Sequence, residues 1–218
     1  MGPRVLVLGE GKSEEGEGYF DPGSPGTAIP EEYLGAAHVI VRRIFVELLG
    51  RTAPTFVFPP RLRPARRTGN AGLIADLEGR QRVAGKPHHN GILELCVGAN
   101  RVDLAVLLKD CGERECEAEE RRGELQSAIK DRRPPGDLTV VTAAAKPSLE
   151  GWLLVRPESD GLNERQAKQL FEAGYLRGDA PTMAGVAHDV DLRRLEEVCP
   201  TSFGRLVADL RNAVEGKL

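Results

Sequence analysis

The segment DLAVLLKDCGE, residues 103–113, decides how this chain folds. Its first part, Asp103–Leu108, is apolar without alternation after the leading aspartate, the pattern of a strand buried on both faces. It then turns abruptly polar at Lys109-Asp110. The same unit recurs on either side. Arg4–Leu8 (RVLVL) is a buried strand ending at Gly9-Glu10-Gly11, Thr55–Phe58 is a short strand closed by Pro59-Pro60, and Leu138–Thr142 (LTVVT) follows a Pro134-Pro135-Gly136 turn.

Helical stretches lie between the strands. Glu31–Leu49 places Leu34, Val39, Ile40, Ile44 and Phe45 at helical spacing and stops at Gly50, as a glycine C-cap requires. Residues 70–84 and 90–98 also read as helices. An acidic helix is expected from Asp110 to about Lys130, and another begins within Pro147–Leu154. The Gly/Pro-rich stretch at residues 16–30 is a loop. Strands alternating with helices predict an α/β fold: a mainly parallel four-stranded sheet with helices on both faces. Residues 160–218 contain no strand and read as short helices, the last from Thr201, a candidate N-cap after Pro200, to about Val214. The expected division is an α/β core over residues 1–158 and a helical C-terminal extension over 159–218, packed on that core.

Composition narrows the function classes. With 40% hydrophobic and 29% charged residues, the chain of 218 residues suits a folded domain rather than a disordered one. A net charge of −3 and only 5% aromatics argue against a general nucleic-acid binder, which needs a basic surface and stacking rings. The exception is RLRPARR at 61–67, with four arginines and no acid, a stretch that suits either a phosphate contact or a solvated loop. Four cysteines without secreted-scaffold spacing, no leader-like opening and no long apolar run predict a cytoplasmic protein with no membrane association.

In parallel sheets, ligands bind beyond the carboxyl ends of the strands. Glu10, Asp110 and Glu150 all fall there or at the following helix start. Carboxylates at one rim are what Mg²⁺ takes, together with waters and phosphate oxygens. Acids in such loops equally serve to cap helices, and Glu150 suits a helix N-terminus. Lys146 and Lys109, just beyond or at strand ends, can contact a phosphate or remain solvated. Trp152 suits core packing.

These residues also carry a family resemblance. GEGKSEE at 9–15 resembles the E-G-x-(T/S)-E/D motif that opens Toprim-like proteins of the OLD-nuclease type. LAVLLKDCGE at 104–113 resembles their third-strand segment, where apolar residues precede a D-x-D pair. KPSLEGWLL at 146–154 is similar to the F-E-x-W-L-L segment of a related bacterial family, and DVDLRRLEEVCPTSFGRLVADL at 189–210 is similar to its tail. The resemblance implies a Toprim-like, Rossmann-like fold and a Mg²⁺- or Mn²⁺-dependent nuclease-like activity, with Glu10 and Asp110 as metal ligands and catalytic groups. It also implies an AAA-type ATPase partner, DNA or RNA as substrate, and a role in defence against phage. One departure stands out: the second aspartate of D-x-D falls on Gly112, leaving Glu113 or Glu115 to supply a carboxylate. Glu113 and Glu150 are therefore further metal candidates, and Lys146 a phosphate contact.

Two other readings stay open at this level: a non-catalytic Toprim-like subunit that docks on an ATPase and regulates it, and a phosphate-binding module built on the glycine loop after the first strand. Gly11-Lys12-Ser13 is not a P-loop, because the required earlier glycine is Leu6, inside the strand. His88, His89 and the cysteines lack zinc-site spacing, and no G-x-S-x-G elbow is present.

Overall fold

The computed structural model describes residues 2–9, 27–58, 82–83, 86–87, 102–111, 118–120, 122–123, 126, 138–155, 162–175 and 179–217. Its centre is a four-stranded sheet: β1 (Arg4–Leu8), β2 (Thr55–Phe56), β5 (Leu104–Asp110) and β6 (Thr139–Ala145), in the order β2-β1-β5-β6. All three pairings are parallel. The fold is α/β and Rossmann-like, as the apolar runs predict. An antiparallel ribbon of two short strands, β3 (Arg82–Val83) and β4 (Lys86–Pro87), lies outside this sheet.

Side-chain alternation sorts the strands into two faces. Val5, Val7, Leu104, Val106, Leu108, Val141, Ala143 and Ala145 join the larger core cluster. Leu6, Leu8, Ala105 and Leu107 join a smaller one on the other face. Both faces are buried, which is why the strands read as continuous apolar runs. On the smaller face, Ala118, in a helical stretch, packs with Cys111 and Ala144.

The larger face is covered by α1 (Ala36–Arg43), α2 (Leu149–Leu154), α3 (Glu164–Tyr175), α4 (Ala180–Asp189), α5 (Leu192–Val198) and α6 (Arg205–Lys217). Phe171, Met183, Leu195, Phe203 and Leu210 from residues 160–218 belong to the same cluster as the strands, so the tail helices help build the central core. Trp152 is fully buried on α2; its indole N–H donates to Ser202 Oγ at 3.0 Å, and its ring meets Phe203 edge-on at 5.4 Å. Arg43 ties α1 to α4: its guanidinium donates to the carbonyls of Ala187 (2.9 Å) and Val190 (2.6 Å) while Glu47 holds its other edge. A cation at a helix C-terminus satisfies carbonyls that have no partner within the helix.

Several element boundaries differ from the sequence expectation. The 31–49 stretch is not one helix. Glu31–Tyr33 is a 3₁₀ turn, α1 begins at Ala36 after Gly35, and Ile44–Leu48 widens to a π turn before Gly50 at φ +60°. Strands β5 and β6 run on through Asp110 and Ala145, beyond the apolar runs, because their register stays paired as far as Asp110↔Ala145. Ladder bonds there override the weak strand preference of alanine, lysine and aspartate. Residues 82–83 are extended rather than helical, in keeping with the helix-breaking Gly85 beside them. The rest of the helices expected at 70–84 and 90–98 lies outside the described residues. Thr201 is not an N-cap: Pro200 already occupies the first helical position, where its missing N–H is no loss, so the chain enters the helix one residue sooner.

Candidate functional site

The carboxyl ends of the parallel strands share one rim, and Asp110 and Ala145 are register partners there. Asp110 has the same parity as Leu104, Val106 and Leu108, which puts its side chain on the larger core face. It is 6% exposed. Its Oδ1 accepts the backbone N–H of Leu149 at 2.9 Å, so it caps the first turn of α2 from another strand. The residue at the N-cap position, Ser148, makes no side-chain cap bond, and its buried hydroxyl has no hydrogen-bond partner among the described residues. Just past Asp110, the Cys111 N–H is shared between the carbonyls of Ala145 (3.0 Å) and Pro147 (3.1 Å), which lashes the end of β5 to the β6–α2 connection.

Glu150 follows Leu149 in that first turn and is 8% exposed. No hydrogen bond or ion pair engages its carboxylate among the described residues. Gly151, the next residue, lies so close to Pro147 that a Cβ would stand 2.6 Å from the proline Cδ. That close approach holds the start of α2 against the end of β6.

Lys168 is a cation that the sequence reading passes over. It lies on α3, which packs against α2, and its ammonium pairs with Glu164 one turn earlier. Burial works to lower its pKa. The hydrogen bond to Glu164, with the charges of Glu150, Asp110 and Glu164, outweighs this and holds the lysine above its ordinary value.

The candidates divide as follows. Asp110 and Glu150 share the region at the start of α2, and Lys146 is half-buried on the adjoining connection. Lys109 is buried on the opposite strand parity from Asp110. Glu10 and Glu113 lie outside the described residues, so the expected Glu10–Asp110 pairing does too. Among the described residues, no group of three or more His, Cys, Asp or Glu is arranged to hold a metal ion. Asp110 and Glu150 remain among the described residues, and they fit Mg²⁺ or Mn²⁺ in chemical type: hard oxygen donors, few in number, with the rest of the shell left to water or phosphate. The indole of Trp152 is committed to the core.

Neither a protein-family model, nor a curated protein, nor a solved structure matches this chain. Its chemistry is therefore read from its own residues. No helix among the described residues is long and apolar enough to cross a membrane.

Proposed function

We propose that this chain is a Toprim-like, Mg²⁺- or Mn²⁺-dependent protein acting on phosphodiesters in the manner of a nuclease. In this reading it is a cytoplasmic effector that works with an AAA-type ATPase against phage, with DNA or RNA as substrate. The observation that carries the proposal is the pair of acidic residues Asp110 and Glu150, 6% and 8% exposed, at the carboxyl rim of a parallel sheet, with Asp110 fixed there by the Leu149 N–H. Asp110 and Glu150 would hold the ion, with Glu10 and Glu113 as further ligands. The bound ion would supply Lewis-acid polarisation of a scissile phosphate. Lys146 is suited to a phosphate oxygen, and Glu10 to proton transfer.

The test is calorimetric titration of Mn²⁺ into wild type, Asp110→Asn and Glu150→Gln. Binding in wild type that weakens at least about tenfold in both variants supports the reading. Absence of binding to wild type at millimolar metal overturns it.

A second reading is favoured by one observation: Gly112 stands at the family's second aspartate position, which suits a non-catalytic subunit that docks on an ATPase and regulates it. Under that reading, wild type and Asp110→Asn alter the ATP hydrolysis of a candidate ATPase equally.

A further inference from the structure

We infer that the helical residues 118–120, 122 and 123 form a strap beside the outermost strand, β6, held shut by one ionic clasp between Arg122 and Asp209. Opening the clasp uncovers the carboxyl end of β5 and β6 while the main core stays folded. No ion at the rim is involved.

The strap touches both faces of the sheet. β6 ends the strand order β2-β1-β5-β6. Ala118 packs with Ala144 of β6 and with Cys111, which follows β5, on the smaller face. Arg122, one helical turn further on, reaches Asp209 on α6, and α6 packs against β6 as part of the larger face. The strap is therefore fastened at two points on opposite faces.

The two attachments differ in kind. On the smaller face the cluster is three small side chains, Ala118, Cys111 and Ala144, which secure little apolar surface. Ala118 is the one described strap residue that joins any apolar cluster. The tail helices, by contrast, send Phe171, Met183 and Leu210 into the main core.

On α6 the attachment is charged and buried. The Arg122 side chain is 7% exposed. Its Nε donates to Asp209 Oδ2 at 2.9 Å, its Nη2 lies 2.8 Å from the same oxygen, and its Nη1 donates to Glu119 Oε1 at 2.7 Å. Arg205 Nε stands 3.4 Å from Asp209 Oδ1 and steadies the acceptor. Removing one partner of such a pair leaves the other charge uncompensated. Segments with few apolar contacts open locally, at lower free energy than the core. The clasp rather than the apolar contact therefore sets how often the strap opens.

Two cysteines separate local from global opening. Cys111 is 5% exposed and packs with Ala118, so strap opening bares its thiol. Cys199 is fully buried in the main core and is bared only when that core opens. The experiment is native-state labelling of the full chain with N-ethylmaleimide, read for each cysteine by peptide mass spectrometry. Trypsin cuts at Arg114, so Cys111 and Cys116 fall on different peptides. Wild type, Arg122→Met, Asp209→Asn and the double variant are compared.

The expected result is that Arg122→Met labels at Cys111 on the order of tenfold faster or more, with Cys199 close to its wild-type rate. Asp209→Asn should act in the same direction more weakly, and the double variant should label no faster than Arg122→Met. Cys111 labelling at the wild-type rate in Arg122→Met overturns the clasp. Equal acceleration of Cys111 and Cys199 overturns the strap, because the variant has then loosened the whole core. Additive acceleration in the double variant shows that the two residues act separately and overturns their pairing as the clasp. Should Arg122→Met fail to fold, Asp209→Asn decides on the same two thiols, and an unchanged Cys111 rate there overturns the proposal.

Discussion

Asp110 carries two roles on one side chain. Its Oδ1 caps α2, and its charge belongs to the candidate cation site. Substitution separates the two. Asp110→Asn keeps an oxygen that accepts the Leu149 N–H, so its stability should stay within about 0.5 kcal/mol of wild type while Mn²⁺ binding falls. Asp110→Ala loses the acceptor as well and should cost about 1–2 kcal/mol, measured by urea unfolding. Equal destabilisation by both variants would show that the charge, rather than the acceptor, holds α2. Asp110 itself is legible in the sequence, because an acid ending an apolar run lies at the ligand-binding end of a parallel strand. Its capping role is not, since Leu149 is 39 residues away. Lys168 is hidden for a related reason. Glu164 and Lys168 are four residues apart, and in a sequence that spacing describes any solvated helix pair. Only the packing of α3 on α2 brings its helix against the one that starts at the rim.

Among the elements, α2 is the one on which the site depends. Gly151 permits the contact with Pro147, and Gly151→Ala would place a Cβ 2.6 Å from the ring. The helix start or the proline must then move, at an expected cost of about 1–3 kcal/mol. That shift should also weaken Mn²⁺ binding, because Glu150 is the preceding residue. Thermal unfolding and titration of the one variant check both effects. At the far end of the α1–α4 contact, Arg43→Ala should remove the guanidinium from the Ala187 and Val190 carbonyls and destabilise by about 1–3 kcal/mol, with cation binding unchanged. Strand positions in the sheet are readable from apolar runs; their true ends are not. β5 and β6 extend beyond the apolar signal, to Asp110 and Ala145, because a partner strand continues alongside, and a single strand's composition does not record its neighbour.

Taken whole, the molecule carries an acid-sensitive element away from the candidate site. His38 on α1 is 2% exposed, neither of its ring nitrogens has a hydrogen-bond partner among the described residues, and its ring meets Phe56 edge-on at 4.9 Å. Burial, and secondarily the Arg42 charge, lower its pKa from 6.5 to about 3. The folded chain thus refuses a proton that the unfolded chain takes up. Above pH 6.5 both states are neutral at this position and His38 adds no pH dependence. As pH falls from 6.5 toward 3, the unfolded state binds the extra proton and stability drops by about 1.4 kcal/mol per pH unit. Between about pH 7 and pH 5, wild type should lose about 2 kcal/mol more than His38→Gln in urea unfolding. An equal loss in the two would show that His38 is protonated in the folded state.

Read alone, the chain determines its class. Continuous apolar strands separated by amphipathic helices have few ways to bury their surface, and a parallel sheet covered on both faces is the one that fits. It also places Asp110 and Glu150 at the rim, because position after a strand or at a helix start is local information. Which of these groups meet is not local. The bond from Leu149 to Asp110 and the packing of α3 on α2 both depend on distances between segments apart in the chain, and packing alone sets those distances.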